Sequence, residues 1–240
     1  MSGTLNFINN GFDLKELNKE LTENTRLVVP DFFNNDFCEE VRHCLLNEVP
    51  WQIAYRDGQK DCVADLAQVQ NMPVPEQQKF MNNIQVVARN GYQFFFNRYP
   101  MIQAYVEQWD SAPFLKTVVE MFNTPEVVDL MKELTGEKAI RKVEVFASRY
   151  LNGHFLKLHD DHAEPGLDRR FAFVLGLTKD WEADWGGLTQ FVEDGNVVAS
   201  VCPGFANLAI FKLPQDHLVS YVVPHATRPR LTITGWLRAD

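Results

Sequence analysis

His159, Asp161, His217 and Arg230 are the residues of this chain whose types and spacing could do chemistry together. Two imidazoles and one carboxylate gathered on one side of a divalent metal leave its other positions open, which suits iron(II) working with dioxygen. An arginine beside such a centre offers a planar fork that holds a carboxylate by two parallel charge-assisted hydrogen bonds. In a strand, residues i and i+2 point the same way, so His159 and Asp161 can chelate one ion from one face. The third ligand must then come from elsewhere, and His217 at the start of a later strand can supply it. An HxD pair taken alone is a weak signal. Asp160 with His162 forms a rival i, i+2 pair, and His225 is a rival to His217. His154 follows Gly153 in a predicted hairpin turn and is expected to be a solvated loop residue.

The elements that must position these residues change character along the chain. The first part reads mainly as helix after a short apolar strand, Leu27–Val29, that stops at Pro30. Asp36 with Glu39 resembles a capping box for a helix running to about Asn47. Glu76 to Arg89 is a second helical stretch. Thr124-Pro125 and Gly136 bracket a third, Glu126–Thr135. Arg56 to Pro75 is polar without a clear period and is expected to form a long loop. From about Arg141 onward the pattern predicts short strands at Val143–Leu151, Arg170–Leu177, Leu188–Val192, Val197–Val201, Asn207–Leu213, His217–Val223 and Arg230–Arg238. Short strands at regular spacing without intervening helices predict an antiparallel sandwich or barrel, naturally a jelly roll. The fold class expected is α+β. Residues 1–140 form helical support and an entrance region, residues 141–238 form the catalytic core, and no Pro/Gly/Ser-rich linker divides the two.

Bulk composition narrows the function. The chain has 240 residues, 45% of them hydrophobic and 23% charged, so a large core can form. Its 18 Phe suit a barrel interior lined with large side chains. A net charge of -9 argues against nucleic-acid binding, which usually needs a basic face. Cys38, Cys44, Cys62 and Cys202 are scattered, which disfavours a zinc knuckle or a disulfide scaffold. No basic-then-apolar leader and no membrane-length apolar run is visible, so a cytoplasmic location away from membranes is expected.

An ordered series of motifs goes further. Tyr150 stands nine residues before His159-Asp160-Asp161. There follow Arg169-Arg170-Phe171-Ala172-Phe173, then Trp185-Gly186-Gly187-Leu188, then Phe211, then His217-Leu218-Val219-Ser220, then Arg230-Leu231-Thr232-Ile233-Thr234-Gly235-Trp236. This series resembles the prolyl-4-hydroxylase-like branch of the 2-oxoglutarate/Fe(II)-dependent dioxygenases, and in particular the catalytic domain of the ribosomal prolyl hydroxylases. The resemblance spans roughly Val143 to Arg238, with a weaker echo in Leu27–Phe33.

The resemblance implies a double-stranded β-helix core with Fe(II) held by His159, Asp161 and His217. His217 lies thirteen residues before Arg230, the spacing used in that family, and is preferred over His225 for that reason. Arg230 is implied to pair with the distal carboxylate of 2-oxoglutarate, with Thr232 adding a hydroxyl and Tyr150 contributing to the same pocket. The implied reaction consumes O2 and 2-oxoglutarate, releases succinate and CO2, and hydroxylates a C–H bond, with ascorbate as reductant. The expected partner is a protein or peptide carrying a target proline, with no nucleic acid and no membrane. Rivals are hydroxylation of a free amino acid or other small metabolite, and a non-catalytic jelly-roll binding module. The two-domain ribosomal hydroxylases continue into a second β-domain, so a catalytic domain alone is expected here. Residues 51–110, with the aromatic cluster Tyr92, Phe94, Phe95, Phe96 and Tyr99, align with no motif. In that family such segments wall the substrate entrance; the aromatic cluster is read as core, with a substrate wall as the alternative. Trp181 and Trp185 are expected to pack the sandwich edge.

Overall fold

The computed structural model describes residues 7–161 and 166–240. Helices α1 (Leu14–Asn24), α2 (Asn35–Asn47), α6 (Pro113–Phe122) and α7 (Pro125–Thr135) form one supporting layer. Each start has a local cause. Asp13 and Asn34 accept backbone N–H groups from the first turns of α1 and α2, and Thr124 does so for α7. The cap of α2 is thus Asn34, two residues earlier than the capping-box reading at Asp36. Gly136, at φ +73°, ends α7 as expected.

The strands are β1 (Arg26–Val29), β2 (Gln52–Asp57), β3 (Lys60–Asp65), β4 (Phe94–Tyr99), β5 (Lys142–Tyr150), β6 (Phe155–His159), β7 (Arg169–Leu177), β8 (Thr189–Glu193), β9 (Asn196–Val201), β10 (Phe205–Lys212), β11 (His217–Val219) and β12 (Arg230–Arg238). They form a nearly closed antiparallel barrel, in the order β1-β10-β7-β12-β5-β4-β6-β11-β8-β9. Its two walls are β10-β7-β12-β5 and β6-β11-β8-β9, the jelly-roll arrangement expected. Phe191 of β8 meets Phe211 of β10 across them, ring centroids 5.0 Å apart. The β8–β9 hairpin turns at Asp194-Gly195, both at positive φ, the turn chemistry that such a connection favours.

Period-2 alternation decides what faces where. Along β12, Leu231, Ile233 and Leu237 join the main core with Val143, Val145 and Ala147 of β5 and with the helices. The alternate residues, Arg230, Thr232, Thr234 and Trp236, face the barrel interior. Across the ladder they pair with Tyr150, Ser148, Phe146 and Glu144. The interior wall therefore carries a line of polar groups on a sheet whose other face is apolar.

Three expectations are corrected. Arg56–Pro75 is not a loop: it holds most of the β2–β3 hairpin and the short helix α3 (Leu66–Gln70). β3 pairs only with β2, so it is an edge strand whose exposed residues carry no apolar period. A two-residue turn, Gly58-Gln59 with Gly58 at φ +62°, was the available signal. β11 is three residues long rather than reaching Val223. His154 is buried rather than solvated, 6% exposed, with its ring edge-on to Phe95 at 4.6 Å. The helix α4 (Val74–Asn90) matches the predicted one and packs Ile84 against Ile53, Phe95 and Phe155. The remaining helix, α5 (Met101–Val106), directly follows β4.

Candidate metal centre

β6 ends at His159, and β11 begins at His217 directly opposite it in the antiparallel ladder. Their imidazole centroids lie 4.1 Å apart. Asp161 lies beyond the strand end, at φ +54°, so the chain turns there instead of continuing extended. The i, i+2 strand argument thus fails in its detail. The turn still delivers the carboxylate: Oδ1 is 3.3 Å from His159 Nε2, and Oδ2 is 3.6 Å from His217 Nε2. Ligand atoms of all three residues lie within 4.8 Å of one another. His162, the rival ligand, lies outside the described residues. His225 sits in an exposed turn, away from this cluster.

Surrounding groups orient the donors. His159 Nδ1 lies 3.0 Å from the Lys157 carbonyl oxygen, and His217 Nδ1 lies 2.7 Å from that of Gln215. Each Nδ1 can donate to its carbonyl, which leaves the Nε2 lone pair aimed at the shared point. Burial pulls His217 down to about 4, so its ring is neutral near pH 7. Burial alone would raise Asp161. The adjoining His159 and His217 rings and the indole N–H of Trp236 outweigh it and hold the carboxylate at about 2. Trp236 Nε1 donates to Asp161 Oδ2 at 3.0 Å. Sequence reasoning placed Trp236 only in a Gly-Trp ending, although the parity that groups Arg230 with Thr232 also selects Trp236. Two imidazoles facing one carboxylate are a donor set that fits a divalent transition metal.

Arg230 is 4% exposed. Its Nη1 donates to the Gly187 carbonyl at 2.7 Å and its Nη2 to Thr189 Oγ1 at 3.0 Å, while Nε has no partner. The guanidinium lies 5.1 Å from the Tyr150 ring centroid, and Tyr150 stacks on Phe96. Thr232 Oγ1 is 2.6 Å from Ser148 Oγ and 3.0 Å from Thr234 Oγ1, a buried hydroxyl chain beside the arginine. Arg230 and Thr232 line a small cavity of about 20 Å³ with Thr189, Cys202 and Gly176. His159 and Asp161 border a separate cavity of about 790 Å³ that opens to solvent.

β4 divides the aromatic cluster by parity. Phe94 and Phe96 line the large cavity, as does Tyr92 just before the strand, whereas Phe95 and Tyr99 pack in hydrophobic cores. Trp181 and Trp185 meet edge to face at 5.2 Å, and Trp185 is buried beside Tyr150 and Val219.

Residues 145–238 match the sequence model of the 2OG-Fe(II) oxygenase superfamily. Over 114 residues the chain is 30% identical to prolyl 3-hydroxylase OGFOD1 of Xenopus laevis, covering 44% of this chain and 22% of that protein. The chain therefore matches about a fifth of the length of that relative. An oxidoreductase of the 2OG-Fe(II) oxygenase family from Burkholderia pseudomallei shares the fold with a TM-score of 0.60 at 13% identity, over 100% of this chain and 97% of that one. A prolyl hydroxylase from Trichoplax adhaerens, solved with a hypoxia inducible factor oxygen degradation domain peptide fragment, gives 0.52 at 15% identity, over 94% and 89%. Residues 145–238 thus resemble the 2OG-Fe(II) oxygenase superfamily, and the jelly-roll barrel that they build is the fold of its solved members.

Proposed function

We propose that the chain hydroxylates a C–H bond of a prolyl residue in a protein or peptide, with His159, Asp161 and His217 as ligands of Fe(II). One observation carries the reading: the three donors converge, and two of them, His159 and Asp161, border a wide, solvent-open cavity walled by Tyr92, Phe94, Phe96, Phe146 and Trp236. Iron(II) with 2-oxoglutarate supplies oxidising chemistry in which C–H, O2 and 2-oxoglutarate become C–OH, succinate and CO2. The chain's own share is geometric. The two Nε2 lone pairs and the Asp161 carboxylate hold the ion, and Trp236 fixes the rotamer of Asp161. Arg230 anchors the distal carboxylate of the cosubstrate, with Thr232 beside it, and Tyr150 closes that side from water. The aromatic wall orients an extended apolar segment such as one centred on proline. Ascorbate is assigned as the reductant that keeps the iron ferrous.

Incubation with Fe(II), ascorbate, 2-oxoglutarate and a cell extract, followed by mass spectrometry of proteins and metabolites, tests this directly. The expected result is the gain of one oxygen atom on a prolyl residue. The same gain on a free amino acid, with no modified protein, would replace the peptide reading. His217→Ala should abolish metal binding and turnover, whereas His225→Ala should keep both. The reverse pattern would overturn the ligand assignment.

A further inference from the structure

Among the described residues lining the large cavity, Arg98 is a cation with no carboxylate in contact, whereas Arg169 pairs with Glu144. Arg98 lies on β4, two residues beyond Phe96 and on the same face, and lines the cavity with His159 and Asp161. Its backbone pairs with Gln52 of β2 on one side and Ser148 of β5 on the other, so a continuous sheet fixes its position. The side chain is half-buried. Its Nε is shielded from solvent and has no hydrogen-bond partner, and no carboxylate among the described residues lies within ion-pair distance of it.

The other charges around the cavity are engaged. Glu144 takes Arg238 at 2.9 Å and Arg169 at 3.7 Å, and the Arg169 guanidinium lies 3.6 Å from the Trp236 ring centroid. Asp61 pairs with Arg56 at 2.7 Å. Glu107 accepts from Gln103 and Trp109. Burial lowers the pKa of Arg98, and Glu144 offsets this only from beyond contact distance. A half-buried guanidinium without a counter-ion loses hydration and receives nothing in return, a cost that a bound anion removes. A planar guanidinium that borders the cavity fits a carboxylate.

We propose that Arg98 is a specificity-determining residue that binds a carboxylate of the substrate, carried by an Asp or Glu side chain close to the target proline. The peptide context rests on the function proposed above; the carboxylate contact does not. The chain's net charge of -9 gives no long-range attraction for acidic ligands, so the preference is short-range and confined to one position.

The test is a proline-centred peptide library in which each flanking position carries Glu, Gln or Lys in turn. Binding and the mass gain of one oxygen are both read, with free amino acids as a separate arm. The native chain should favour Glu over Gln about tenfold at one flanking position, the factor that corresponds to about 1.4 kcal/mol. Arg98→Gln should remove that preference, Arg98→Lys should retain part of it, and Arg98→Glu should shift it toward Lys. Metal binding should be unchanged in all three variants, which separates loss of recognition from loss of fold. Equal binding of Glu and Gln peptides by the native chain overturns the proposal, as does a preference that survives Arg98→Gln. Arg98-dependent binding without oxygen gain on any peptide upholds the carboxylate contact and defeats the prolyl reading. Arg98-dependent turnover of a free amino acid does the same and identifies its own carboxylate as the group bound.

Discussion

Asp161 illustrates how a candidate ligand is made at the scale of one residue. Burial in a low-dielectric interior disfavours its charge, and three donors or partial charges restore it. The Trp236 indole also sets the direction of the second carboxylate oxygen. Trp236→Phe keeps the ring and removes the donor, so metal affinity should fall roughly 10- to 100-fold, read by competition with a chelator. Unchanged affinity would reduce Trp236 to a packing residue. Arg230 presents the complementary case, a buried cation with an unpartnered Nε. Arg230→Ala should weaken 2-oxoglutarate binding by on the order of 2–5 kcal/mol, measured calorimetrically with the redox-inert metal Mn(II). The residue types of this centre were visible in the sequence. The role of Trp236 was not, because it depends on a turn at Asp161 that strand parity does not anticipate.

At the scale of elements, β12 does the organising. Its odd-numbered residues bury against the helical layer while its even-numbered ones line the barrel from Arg230 to Trp236. Gly235 breaks the apolar series because a Cβ there would overlap the Glu144 carbonyl oxygen and lie 3.0 Å from the Phe173 ring. Gly235→Ala should therefore destabilise the chain by roughly 3 kcal/mol, seen as a lowered urea midpoint, since the clash falls on backbone that cannot step aside. A neutral effect would mean that β12 and β5 can separate locally without cost. Most core strands were legible because one face of each is buried and the other is not. The β2–β3 hairpin was hard to read because β3 is an edge strand whose half-buried face carries only the small residues Cys62 and Ala64. β6, which carries His159, was missed as a strand because its five residues include Lys157 and His159 and only Phe155 is buried.

Over the whole molecule, stability should depend on pH through His154, beside a like contribution from His217. The folded chain holds this ring at about 4 against an ordinary 6.5, because burial against Phe95 disfavours the imidazolium. The unfolded chain takes up the proton first as pH falls. The contribution is therefore complete above 6.5 and disappears progressively toward 4. The loss from this ring amounts to on the order of 3 kcal/mol, and His154→Phe should remove that share while leaving the share of His217. Urea midpoints compared at about pH 7.5 and about pH 5 would show it, and equal acid sensitivity in the variant would remove His154 as the cause. No helix among the described residues is long and apolar enough to cross a membrane.

The sequence by itself determined the residue types and their order: the HxD pair, the distant histidine, the arginine that follows it and the alternating strands around them. Residue types and alternation are local properties, and a chain carries them wherever it folds. Which residues meet is a different matter. Only the tertiary structure set His217 opposite His159, turned Asp161 back toward both, kept His225 away in an exposed turn and buried His154. It alone also put Arg98 in the cavity bordered by His159 and Asp161, with no carboxylate among the described residues in contact with it. Such outcomes come from pairing between strands far apart in the chain, and no local pattern encodes which partner a strand will find.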